Sequence, residues 1–231
     1  MPFLLKVTDR IDRLCEKVGQ LGSWLILPLI FIIIFDVLTR KFQFIQQAIL
    51  NSPLYEFLSP TKLQEMEWHL HAAIFLTAFG MTYLHNAHVR VDVLRENLSH
   101  RRQAINELLG ILFFALPFFA VICFYSWEFV ARAYLSGEGS DALTGLPHRW
   151  IIKSVFLVGV VVIFLTCVSV AIKLAFYLFG KPEHAAAADE ALNIFPVEVE
   201  EHVDDVSPGD GSHEEFHVDN PEIPDENRPM T

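Results

Sequence analysis

Apolar residues run almost unbroken through four stretches of the chain, at about 19–38, 67–84, 105–129 and 151–179, with polar and charged residues gathered between them. Each stretch is close to the ~20 residues a helix needs to cross a hydrocarbon core about 30 Å thick. Lipid offers a backbone amide no partner, so a crossing segment must close its own hydrogen bonds and is helical. The pattern predicts an all-α integral membrane protein with four transmembrane helices over 19–180. The second stretch is the most polar at its start, where Glu67, His69 and His71 fall. Pro28 and Pro117 lie inside the first and third stretches and predict kinks, because each removes a backbone donor.

The flanking segments have patterns of their own. Residues 3–18 place Leu4, Val7, Ile11, Leu14, Cys15 and Val18 on one helical stripe, with Lys6, Arg10, Arg13 and Lys17 among the polar positions. This predicts an amphipathic helix over 1–18 lying on the membrane surface. A helix packed on the protein's own loops would show the same stripe. Residues 39–66 form a long loop holding Phe42, Phe44, Ile45, Ile49, Tyr55 and Phe57, broken by Pro53 and Pro60. A loop of that length usually has a role; here the choices are the membrane interface and a docking surface for something outside it.

Composition agrees: 52% of the 231 residues are hydrophobic and the mean hydropathy is +0.36. The net charge of -11 divides unevenly, since residues 181–231 hold 15 of the 28 acids and two of the 17 basic residues. The remaining 15 basic and 13 acidic residues leave the body near neutral, without the basic excess that nucleic-acid binding requires. The segment 181–231 is acidic and poor in large apolar residues, so it is expected to be a disordered tail. Cys15, Cys123 and Cys167 are too few and too scattered for a disulfide framework or a zinc site. The first apolar run lacks a small-residue cleavage site and is expected to remain as a signal anchor.

Orientation follows from Lys and Arg. Lys6, Arg10, Arg13, Lys17, Arg90, Arg95, Arg101, Arg102, Lys173 and Lys181 fall on one side, against Arg40, Lys41, Lys62, Arg132, Arg149 and Lys153 on the other. The excess places both termini in the cytoplasm. Trp24, Trp68, Trp127 and Trp150 each lie near one end of a different stretch, as interfacial anchors do.

Ionisable groups at membrane depth are functional candidates by default. Asp36 and Arg40 are four apart at the end of the first stretch and can pair on one helical face, as a structural pair, a headgroup contact or part of a transport path. Glu65 with His69 and Glu67 with His71 are the four-apart pairs at the start of the second stretch. No further Glu-x-x-His set joins them, so no metal site is expected. His85 and His88, with Arg90 and Asp92, mark the exit of the second stretch. The other stretches contain no histidine, which argues against bis-histidine haem, and no nucleophile triad or phosphate loop points to an enzyme. Neither cofactor nor catalytic residue is expected. The inverted repeats of a self-sufficient transporter are missing as well.

Four motifs in order carry a family resemblance: Asp36-Val37 with Arg40; Glu67-Trp68-His69; His85-x-x-His88-Val89-Arg90-Val91-Asp92; and Glu138-Gly139-Ser140 followed by Gly145-Leu146-Pro147-x-Arg149-Trp150-x-x-Lys153. Together, over roughly residues 20–175, they resemble the DctQ-type small membrane subunit of tripartite ATP-independent periplasmic (TRAP) transporters. The long loop before Trp68 is similar to the branch labelled for mannitol or chloroaromatic compounds and related to 2-oxo acid carriers.

The resemblance implies a bacterial or archaeal inner-membrane complex. In it a periplasmic solute-binding protein captures an organic acid, a large multi-span subunit carries it by sodium-coupled movement, and the small subunit braces the large one. It further implies that Trp68, Arg149, Trp150 and Lys153 anchor the outer interface and that Arg90 and Asp92 fix the inner loop. Glu67, His85 and His88 join them as interface candidates, with membrane lipids as further partners. A haem-free anchor for a redox complex and a receptor recruiting a partner through its acidic tail are the alternatives.

Overall fold

The computed structural model describes residues 3–53, 55–87 and 98–182, with positions 188 and 192. His88, Arg90 and Asp92 and the acidic tail lie outside them, and so does the separate unit Val197–Thr231. The described residues are helical, with no strand among them. In chain order the helices are α1 (Phe3–Ser23), α2 (Ile26–Lys41), α3 (Gln43–Leu50), α4 (Tyr55–Leu58), α5 (Pro60–Leu84), α6 (His100–Gly110), α7 (Leu116–Leu135) and α8 (Trp150–Phe179). A π-helical stretch, Ile111–Ala115, joins α6 to α7.

Both prolines act where expected. Pro28 has no N–H for the Trp24 carbonyl, which instead accepts a bond from the Leu27 amide at 3.3 Å, while the Leu25 amide reaches Gly22 at 3.0 Å. These tight turns at Trp24 and Leu25 separate α1 from α2. Before Pro117 the ladder widens: the Leu116 amide bonds the Ile111 carbonyl five residues back, a π-bulge that absorbs the missing donor. α5 opens on Ser59, whose hydroxyl accepts from the Lys62 amide at 3.3 Å, with Pro60 in the first helical position.

Among the described residues, three helical stretches are long and apolar enough to cross a membrane: Phe3–Lys41, His100–Leu135 and Trp150–Phe179. The sequence reading expected four. The segment 67–84 lies within α5, which at 25 residues is about 37 Å long, but Lys62, Glu65, Glu67, His69 and His71 dilute its first half. The lipid-like character of the surface is plain on the π-helical stretch and α7, where Phe113, Phe114 and Phe124 are each about two-thirds exposed or more. Soluble monomers do not display apolar surface on that scale.

The boundary expected at residue 18 is not a break. α1 continues to Ser23 and packs against α5 and α8, so the protein itself covers much of the stripe expected to face lipid. Thr8, Cys15, Gly22, Leu29 and Asp36 are all buried, seven residues apart along both α1 and α2. α8 sits at the centre, against α1, α5, α6 and α7, and supplies Ile163, Cys167, Val170 and Leu174 to a core completed by Ala104 and Ile111.

Glycines bring the backbones together. A methyl group on Gly159 would lie 2.8 Å from both Cβ and the carbonyl oxygen of Leu76, so α5 and α8 touch through main chain there. Gly159→Ala is expected to destabilise the bundle by about 1–3 kcal/mol. Gly110→Ala, at a position with open space around it, should be neutral or slightly stabilising. Thermal unfolding of the two variants in one detergent, followed by near-ultraviolet circular dichroism, tests the difference. Equal midpoints would contradict it.

Candidate functional site

Polar residues collect at two ends of the bundle. At one end the loop between α7 and α8 folds back over the start of α5. Gly137 (φ 61°) and His148 (φ 62°) take left-handed conformations that turn the chain, and the Arg149 amide bonds the Glu138 carbonyl at 2.9 Å to close the loop. Inside it the Ser140 amide reaches the Leu146 carbonyl at 3.0 Å. The buried carboxylate of Glu65, from α5, sits under this loop. Its Oε1 accepts from the Ser140 hydroxyl and its Oε2 from the Leu146 amide at 2.6 Å. The Ser59 hydroxyl adds a bond to the Thr144 carbonyl at 3.2 Å. A side chain at Gly145 would collide with Ser140 and with Glu65 Oε1, so the close approach needs glycine.

Burial pushes the Glu65 carboxyl up, but the Ser140 hydroxyl, the Leu146 N–H and the nearby Arg149 and His69 outweigh it and hold the group below its ordinary value. Next to it the Lys153 ammonium bonds Glu138 and lies 3.9 Å from the centre of the Phe129 ring, a cation–π contact. Arg149 reaches Asp141 at 3.6 Å, and Trp150 meets Tyr134 edge to face at 5.5 Å. Arg149, Trp150 and Lys153, near neighbours in sequence, thus each meet a different partner.

The other candidates stand elsewhere. Trp68 is 46% exposed and rests on the His69 ring at 4.2 Å. Glu67 is half-buried, and its backbone carbonyl is bonded by His71 Nδ1 at 3.0 Å. On α2, Arg40 Nε bonds Asp36 Oδ2 at 2.8 Å, while the other oxygen of this buried carboxylate has no hydrogen-bond partner among the described residues. His85 is exposed, 3.4 Å from Glu16 of α1, and pairs with it when protonated.

The second polar end was missed by sequence reasoning. Asp12 of α1 accepts from the Ser169 hydroxyl at 2.6 Å and from the ammonium of Lys173, which is 5% exposed. One turn away the Thr166 hydroxyl contacts Cys15 Sγ at 3.3 Å. From sequence, Lys173 counts only among the cations of the inner side. The spacing of Thr166, Ser169 and Lys173 on an otherwise apolar helix was the available signal, a polar stripe that needs a partner. Glu65 was weighed only as a partner of His69. Its true partners are in the Gly139-Ser140 and Gly145-Leu146 motif already singled out.

The helices, with their long apolar stretches and with ion pairs at both polar ends, define a membrane component. The family model for tripartite ATP-independent periplasmic transporters, DctQ component, matches residues 29–176, more than half of the chain. The chain belongs to this family and is a small subunit of a TRAP transporter. That family is a transporter component rather than an enzyme family, and it implies partnership with the large transporter subunit and a binding protein. No curated protein and no solved structure matches the chain.

Two outcomes follow for these ends. Glu65 has a folded-state pKa below its ordinary 4.5, so its contribution to stability is complete above that value and is lost as the pH falls through the lower folded value. Limited proteolysis of the loop 136–149 should be constant from neutral pH down to about 4.5 and accelerate below it, and Glu65→Gln should remove that acid-dependent step. At the other end, Asp12→Asn takes a bonded carboxylate from the buried Lys173 ammonium, at a cost of up to about 3–5 kcal/mol. Adding Lys173→Met should restore most of the loss, measured by unfolding in detergent; a double variant no better than the single one would contradict the pairing.

Proposed function

We propose that this chain is the fixed brace of a sodium-coupled, binding-protein-dependent importer of an organic acid, seated in a bacterial or archaeal inner membrane with both termini in the cytoplasm. The observation that carries this reading is the family match over residues 29–176. The geometry supports it. α8, at 30 residues, is about 45 Å long, longer than a hydrocarbon core of about 30 Å. Its excess leaves room for the Asp12–Ser169–Lys173 set near the inner interface, with Lys153 and Trp150 at the outer one. α5 is then the second of four crossings, its polar first turns lying in the outer interface under the loop that Glu65 pins.

In this arrangement the chain supplies a wall rather than a path. An internal ion pair holds α8 to α1 at one end and another holds α8 to the loop before it at the other, and a broad apolar face is left for lipid and for the large subunit. The outer loops, ordered by Glu65, offer a shaped surface to the periplasmic binding protein, with Arg149, Trp150 and Lys153 holding its base. The acidic residues 181–231 form a cytoplasmic tail, a reading that rests on composition.

Affinity purification of the chain from its native membrane in mild detergent, followed by mass spectrometry, tests the reading. A large multi-span subunit in stoichiometric amount is the expected result. Recovery of the chain by itself, or with haem or iron–sulfur subunits, would overturn it.

A further inference from the structure

The corner made by the end of α2 with α3 and α4 carries, beyond Arg40, none of the motifs of the family resemblance, and its surface is unusual for a loop. Phe44 and Phe57 are 71% and 73% exposed, with Phe42, Leu50 and Tyr55 at 36% or more. No carboxylate side chain occurs between Asp36 and Glu56, whereas Arg40 and Lys41 stand together at the end of α2. Where α2 meets this corner, a small cleft of about 70 Å³ is lined by Thr39, Arg40, Gln46, Tyr55, Leu58 and Pro60. Arg40 is bonded to Asp36 through Nε and keeps half of its side chain exposed.

Three features select one occupant. The exposed apolar residues of α2, Phe31, Ile34 and Val37, are followed past Arg40 and Lys41 by exposed Phe42 and Phe44, so apolar surface flanks the two cations on both sides. Aromatic side chains beside paired cations form the signature of the membrane–water interface. The cleft sets Arg40, Thr39 and Gln46 among the apolar Ile49, Leu50, Leu58 and Pro60, a mixed lining of the kind met where a headgroup adjoins acyl chains.

We propose that this corner is a lipid-binding foot: Arg40 and Lys41 hold the phosphate of a phospholipid headgroup while Phe42, Phe44 and Phe57 enter the acyl region of the same leaflet. The foot ties one end of α2 to the bilayer independently of any contact with another subunit, so it goes beyond the brace reading.

The test is photo-crosslinking in the native membrane, with benzoylphenylalanine placed at Phe44 or Phe57 in the full chain and at Phe114, on the exposed face of the neighbouring α6–α7 helix, as a lipid reference. Both positions are exposed enough to accept the larger ring. Phospholipid adducts at 44 and 57, detected by mass spectrometry, are expected, and Lys41→Gln should lower their yield about fivefold through loss of one surface cation. Adducts at 44 or 57 to another protein, or none while position 114 labels lipid, would overturn the foot. So would a yield unchanged by Lys41→Gln. Crosslinking to a large membrane subunit would overturn it while supporting the brace, which keeps the two readings separable.

Discussion

At Gly159 the backbone of α8 comes so near that of α5 that a methyl group would sit 2.8 Å from the Leu76 carbonyl, and at Gly80 one would sit 2.6 Å from the Val162 side chain. In lipid there is no hydrophobic drive between helices, so close van der Waals approach of this kind carries much of the association. The other contacts depend on that pair. With α5 held against α8, the start of α5 lies beside the loop that leads into α8, and Glu65 meets Ser140 and Leu146. On the far side of the pair, α1 lies along both helices, with Gly19 against Met81 and Gly22 against Thr77.

Charge is spent within the chain. Lys153 with Glu138, Lys173 with Asp12 and Arg40 with Asp36 each join a cation to a carboxylate, and the first two pairs link separate elements. A buried pair is weak support for stability, but breaking one leaves an uncompensated charge, so each pair resists separation of the elements it joins. A bundle stitched at both ends suits a component that stays still while another moves. That is the physical content of the brace proposed for this member of the TRAP transporter family; brace, coupling ion and cargo alike belong to the proposal.

Much of the architecture could be read locally. Apolar runs of about 20 residues, the need to satisfy the backbone in lipid, and the two prolines dictate helices and the places where they give way, at Trp24–Leu25 and at Ile111–Ala115. The motif from Glu138 to Lys153 was visible as a unit because its residues are neighbours in sequence. α5 was legible as a helix, though its polar first half keeps it out of the plainly apolar set.

The sequence by itself determined the helical class, the apolar faces and the family, because each depends on near-neighbour periodicity or on motifs within short windows. Tertiary structure alone decided that α1 docks on α5 and α8, that Glu65 orders a loop 75 residues away, and that Lys173 is buried against Asp12, 161 residues away. Those pairings depend on which helix faces meet. Several stripes of similar polarity compete for that choice, and only the simultaneous fit of glycine contacts, volumes and buried charges settles it.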